Sequence, residues 1–156
     1  MNGEPLNVGD KAPDFALKDN RSKDVRLSEL KGKKVLLSFH PLAWTSVCAE
    51  QMKSLEANFE EFEKLNTVAL GLSVDPVPSK NAWAKNLEVK NTKLLSDFWH
   101  HGKVAALYGI FRDKEGFSER ANIILNEEQK IIFVKIYDIP QLPDIQEILD
   151  FLKTAK

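Results

Sequence analysis

The sequence predicts an α/β fold in which a mixed central sheet is covered by helices on both faces. Three observations carry that expectation. From Val35 onward, short β-branched runs alternate with longer stretches of helical periodicity. The run Val35-Leu36-Leu37-Ser38-Phe39 is apolar nearly throughout, as in a strand buried on both sides. Residues 121–125 and 131–137 read as two strands separated only by Asn126-Glu127-Glu128-Gln129, a hairpin, which makes the sheet mixed.

Each element has its own warrant. After the strand at 35–39, Cys48, Met52, Leu55, Phe59 and Phe62 recur at spacings of four, three, four and three, one stripe of a single long helix. Glu50, Lys53, Glu60, Glu61 and Lys64 fall on the opposite side and read as its solvated face. Residues 68–74 form a second buried strand, closed by Asp75-Pro76-Val77-Pro78. Ser79 is the expected N-cap of a helix reaching Leu87. A short helical turn follows between Gly102 and Leu107. The last helix is expected to start near Pro143, with apolar repeats at Ile145, Ile148, Leu149 and Leu152.

Composition bounds the function. The 156 residues carry 22 Lys+Arg against 23 Asp+Glu, a net charge of −1, and 43 % of them are hydrophobic. One domain over 1–156 is the expectation, with a core large enough to need no disulfide or zinc staple. Near-neutral charge removes the electrostatic footprint of a nucleic-acid binder. No run of about 18 apolar residues suggests a membrane span. The N-terminus lacks a basic segment followed by an apolar one, and a lone cysteine suits a reducing compartment, so a cytoplasmic location is expected. Asn20-Arg21-Ser22 has the form of a glycosylation sequon and reads as a polar turn. Glycine-rich phosphate loops, G-x-S-x-G and H-E-x-x-H are absent, and His40, His100 and His101 show no paired ligand spacing. No cofactor and no metal are expected.

Cys48 is the residue that could carry chemistry. It falls in the first turn of the long helix, where unpaired amide N–H groups and the positive end of the dipole favour a thiolate over a thiol. Against this stands the view of an inward-facing cysteine as a small core hydrophobe. Pro41 and Thr45 tip the balance, because Pro41-Leu42-Ala43-Trp44-Thr45-Ser46-Val47-Cys48 resembles the P-x-x-x-T-x-x-C motif of peroxiredoxins. A threonine hydroxyl can both donate and accept, and proline fixes the turn and shields the sulfur.

Other segments carry the same resemblance. Val8-Gly9-Asp10-Lys11-Ala12-Pro13-Asp14-Phe15 is similar to the family's N-terminal segment, and Phe39-His40-Pro41 stands where an aromatic pair precedes proline. Leu95-Ser96-Asp97-Phe98-Trp99-His100-His101-Gly102 and Tyr108-Gly109 are similar to the AhpE-like one-cysteine subgroup of the AhpC/TSA family. Glu119-Arg120-Ala121-Asn122-Ile123-Ile124-Leu125 resembles the strand whose arginine completes the site, which nominates Arg120. Its plain alternative is a surface ion pair with Glu119 or Asp113. Two positions depart from the pattern: Gln51 stands where glutamate is usual, and His40 where tyrosine is more common.

The resemblance implies a thioredoxin-like fold and a thiol peroxidase acting on hydrogen peroxide, alkyl hydroperoxides or related small peroxides. Cys48 would be oxidised to a sulfenic acid and recycled by an external thiol, a low-molecular-weight thiol or a redoxin, and a homodimer or larger assembly is implied. Competing readings are a non-enzymatic redox sensor, a disulfide oxidoreductase and a module with an inert thiol. The second lacks its partner sulfur, since Cys48-Ala49-Glu50-Gln51 holds one cysteine. Trp83 and Trp99 are expected in the core or a subunit contact, and Trp44 at the pocket mouth.

Overall fold

The computed structural model describes residues 4–155. Seven strands form one mixed sheet in the order β2-β1-β5-β4-β3-β8-β9. Here β1 is Ala16–Asp19, β2 Asp24–Arg26, β3 Lys34–Phe39, β4 Thr67–Ser73, β5 Lys93–Ser96, β8 Arg120–Leu125 and β9 Ile131–Tyr137. A separate two-stranded ribbon pairs β6 (Phe111–Arg112) with β7 (Phe117–Ser118). β3 lies parallel to β4 and antiparallel to β8, so the predicted hairpin β8–β9 extends the sheet beyond the parallel strands.

All six residues of β3 are buried, as its apolar run requires. Its alternation sends Val35, Leu37 and Phe39 into one core layer and Leu36 into the other. The first layer packs against the N-terminal segment and α4 (Lys103–Leu107) through Phe15, Leu27, Val104 and Tyr108. The second lies under α1 (Ser46–Ala57), α2 (Phe59–Lys64), α3 (Val77–Leu87) and α5 (Ile145–Thr154). Ser38 shares the face of Leu36, and on β8 the same face carries Arg120, Asn122 and Ile124. The sheet therefore places polar side chains under the start of α1. No helix among the described residues is long and apolar enough to cross a membrane.

Several boundaries differ from the sequence reading. The long helix is two, because the chain breaks at Asn58, whose side-chain amide bonds back to the Ser54 carbonyl at 2.8 Å. The amphipathic stripe survives the break: Cys48, Met52, Leu55 and Phe62 are all buried in one layer. Ser79 is not a cap, since α3 begins at Val77 after Pro76; a proline within the first turn costs no helical hydrogen bond. α5 starts at Ile145, where Asp144 accepts from the Gln146 amide at 2.9 Å. Trp83 is in the core, whereas Trp99 is three-quarters exposed and belongs to no core layer. Asn20 is buried in the turn between β1 and β2, accepting from the Leu94 amide, so it is no exposed glycosylation acceptor.

Candidate active site

The segment between β3 and α1 carries the motif. Pro41 is buried, while Leu42, Trp44, Thr45 and Ser46 are exposed. Trp44 adopts φ +69°, a left-handed conformation costing a non-glycine residue about 1–2 kcal/mol. Hydrogen bonds hold it there. The Ala43 amide donates to Asp75 Oδ2 at 2.8 Å, the Trp44 indole to Ser79 Oγ at 2.9 Å, and the Thr45 hydroxyl to the Leu42 carbonyl at 2.8 Å. Thr45 is the N-cap residue of α1 in extended conformation, yet its side chain caps nothing. The first amides of α1 are thus not claimed by a capping hydroxyl.

Cys48, third residue of α1, is fully buried. Arg120, 3 % exposed, reaches it from β8: Nη1 stands 3.3 Å from Cys48 Sγ and donates to Gln51 Oε1 at 2.8 Å. Its Nε donates to the Ile139 carbonyl at 2.8 Å. Gln51 lies one turn after Cys48 and is held in turn, its amide donating to Ser38 Oγ at 2.7 Å and the Phe39 carbonyl at 3.1 Å. Every donor of that amide is satisfied, so the neutral residue orients the guanidinium by hydrogen bonding alone. The surface-pair alternative for Arg120 is excluded by its burial; Glu119 pairs with Arg112 instead.

The structure thus brings Cys48, Arg120 and Gln51 into direct contact. Pro41 and Thr45 belong to the same loop, but the hydroxyl of Thr45 faces Leu42 rather than the sulfur. His40 lies under the site, fully buried, its Nδ1 facing the Ser38 carbonyl at 3.4 Å and its ring centroid 5.5 Å from that of Trp83. Burial, and then the charge of Lys80, hold its pKa well below the usual histidine value. The pH sensitivity expected of an imidazole near neutrality is therefore suppressed. His101 Nε2 stands 2.7 Å from the Gly116 carbonyl, and no group of three or more potential metal ligands occurs among the described residues.

Sequence reasoning missed the residues beneath the loop. Lys80 is fully buried, with Nζ 3.3 Å from His40 Nε2 and donating to Ser73 Oγ; Ser73 donates to Asp75 Oδ2 at 2.6 Å. The available signal was a lysine inside the stripe Lys80, Trp83, Ala84, Leu87, at helical spacing with three apolar residues. Also missed was the chain from Asn122 through the Tyr137 hydroxyl to Glu147 and Lys135, in which burial pushes the Tyr137 hydroxyl up to about 12. A cavity of about 560 Å³ lined by Glu29, Phe59, Phe62, Asn66 and Lys93 contains none of the motif residues.

Comparison with known proteins gives the family. Residues 8–134 match the model of the AhpC/TSA family. Alkyl hydroperoxide reductase E of Mycobacterium tuberculosis is 39 % identical over 132 residues, 84 % of this chain and 86 % of that protein. A putative peroxiredoxin, bcp, of Haemophilus influenzae is 34 % identical over 157 residues, covering 96 % of this chain and 98 % of that one. In structure, the chain is similar to the reduced 2-Cys peroxiredoxin of Plasmodium vivax, with a TM-score of 0.88 at 26 % identity, over 96 % of this chain and 81 % of the other. With residues 8–134 matching the family model and relatives of this identity and coverage, the chain belongs to the AhpC/TSA family, a thiol-dependent peroxidase with one cysteine on a thioredoxin-like α/β scaffold.

Proposed function

We propose that Cys48 is the nucleophile of a one-cysteine peroxidase that reduces hydrogen peroxide and organic hydroperoxides. The observation that carries this reading is the 3.3 Å approach of Arg120 Nη1 to Cys48 Sγ at the start of α1, both groups buried. A fixed cation and a helix N-terminus both stabilise the anion on sulfur. The thiolate attacks one peroxide oxygen, an S–O bond forms and the O–O bond breaks. Sulfur is oxidised to a sulfenic acid while the departing alkoxide or hydroxide takes a proton and leaves as alcohol or water. Negative charge moves from sulfur toward the leaving oxygen, so donors fixed between the two act on the transition state.

The roles divide by position. Arg120 supplies a permanent charge in a rigid fork, already anchored through Nε to the Ile139 carbonyl. Thr45 spends its proton on Leu42 and keeps its lone pairs, so it is suited to accept from a protonated peroxide oxygen. Pro41, buried in the same loop, is suited to shield the sulfur and presents no N–H. Uncapped amides of the first turn of α1 are the remaining donors. Because Cys48 is fully buried, its attack on peroxide requires the start of α1 or the segment before it to open for substrate, which favours small peroxides.

The sulfenic acid is discharged by a thiol from outside, since the sequence holds no second cysteine. Exposed Trp44, Phe98 and Trp99 are suited to cover one another across a homodimer; the cytoplasm is the compartment proposed. Mass spectrometry after stoichiometric peroxide tests the reading. The wild type is expected to gain one oxygen at Cys48, trappable as a sulfenic acid, and to turn over when a small thiol is added. Cys48→Ser is expected to fold and to do neither. Peroxide turnover at the wild-type rate in that variant would remove the assignment.

A further inference from the structure

We propose that Lys80 is a positioning residue for Cys48, holding the loop before α1 through Ser73 and Asp75 and adding a second cation to the field at the sulfur. This rests on Cys48 being the nucleophile and deepens that reading. The geometry is a continuous chain: Lys80 Nζ donates to Ser73 Oγ, Ser73 Oγ donates to Asp75 Oδ2 at 2.6 Å, and the same oxygen accepts the Ala43 amide at 2.8 Å. Ala43 precedes the left-handed Trp44, so the chain ends on the strained turn that sets the direction of α1. A second tether, Trp44 Nε1 to Ser79 Oγ, joins the same loop to the same helix, one residue from Lys80.

A buried ammonium is expensive unless it is paired, and this one has only partial payment. Lys80 contacts His40 just after β3 and Ser73 at the end of β4, and the charges of Asp75 after β4, Cys48 on α1 and Asp97 after β5 act on it; Arg120 on β8 adds its charge to the field at His40. Burial pulls Lys80 down to about 7, against the opposing pull of Asp75, Cys48 and Asp97. Asp97 is itself pushed up to about 6 by burial and is engaged by the Val104 and Ala105 amides. His40 offers it no charge, only a ring nitrogen, Nε2 at 3.3 Å, since burial and then Lys80 itself hold the imidazole uncharged. An anion on Cys48 is thus one of the few partners that reward a charged Lys80. By the same coupling, the ammonium favours the thiolate.

The test measures Cys48 oxidation by hydrogen peroxide from pH 5 to 10 in wild type, Lys80→Met and Ser73→Ala. The same series is run with iodoacetamide, which needs the thiolate but no peroxide chemistry. Lys80→Met is expected to move the rising limb of both profiles about one pH unit higher, a loss of about tenfold below the limb. The rates approach wild type at high pH. Ser73→Ala keeps the charge and cuts the chain, and is expected to slow peroxide oxidation several-fold across the whole range without moving the limb. Lys80→Met profiles that overlay the wild type, or that drop without shifting, would overturn the proposal. A shifted iodoacetamide limb in a protein that peroxide leaves untouched would keep the effect of Lys80 on the thiolate and remove the peroxidase reading instead. Should Lys80→Met fail to fold, Ser73→Ala decides: an unchanged peroxide rate there overturns the proposal.

Discussion

Arg120 concentrates three contacts in one guanidinium: Cys48 Sγ and Gln51 Oε1 on Nη1, and the Ile139 carbonyl on Nε. A lysine carries the same charge on a flexible stem and cannot occupy all three positions. Arg120→Lys is therefore expected to cost about 2–4 kcal/mol of transition-state stabilisation, the range for one lost preorganised donor. That is about 30- to 1,000-fold in the second-order rate constant with peroxide, measured by stopped flow. Pro41, Thr45 and Cys48 could be nominated from the sequence because one motif spaces them, and Arg120 from the strand segment 119–125; of these the structure brings Arg120 against Cys48. Lys80 was not, since a lysine in one helical turn reads as solvent-facing until the neighbouring layers are known. Gln51 was visible as a departure, but its anchoring by Ser38 and Phe39 depends on register across α1 and β3.

At the scale of elements, the contact between α1 and the sheet is tight at one place. A Cβ on Gly71 of β4 would lie 2.4 Å from Met52 Sδ and 3.0 Å from Leu94 Cδ2. Met52 is one turn beyond Cys48, so α1 sits close to the sheet only because that position is bare. Gly71→Ala is expected to destabilise the protein by about 1–3 kcal/mol through overpacking, read from denaturant unfolding. Met52→Ala should cost less in that background than in the wild type, because the added methyl fills part of the space it vacates. The sequence showed β3, β4, the hairpin and most helices, because each has an apolar period of its own. It did not show β1, β2 or β5. Those strands are short, and β1 and β2 alternate buried with exposed residues for only three or four positions, so pairing with neighbours defines them rather than composition.

Across the whole molecule, two buried basic groups, His40 and Lys80, each add a pH-dependent contribution to stability. His40 titrates at its ordinary 6.5 when unfolded and well below that when folded. Below pH 6.5 the unfolded chain binds the extra proton, so stability falls as pH drops through that value. Lys80 behaves likewise in a higher window, between about 7 folded and 10.5 unfolded. There the unfolded chain again holds more protons, and stability rises with pH by at most about 1.4 kcal/mol per unit. Unfolding free energies of wild type and Lys80→Met, compared from pH 6 to 10, should show the wild type gaining on the variant above pH 7. A constant difference would mean that folding leaves the affinity of Lys80 for its proton unchanged.

The two halves of the site are attached to parts of very different permanence. Arg120 belongs to β8, paired on both sides by β3 and β9, so it cannot leave without unpairing that strand from two neighbours. Cys48 belongs to the first turn of a helix whose N-cap side chain is occupied elsewhere, and such turns fray. In amide exchange, the β8 amides are expected to exchange only with global unfolding, while those of residues 46–49 exchange through a local opening. Oxygen added to the fully buried Cys48 must find room, and the first turn of α1 is the part expected to yield. Sulfenic acid formation should thus quicken exchange at the start of α1 and leave β8 unchanged, making the guanidinium the fixed jaw and the thiol the moving one.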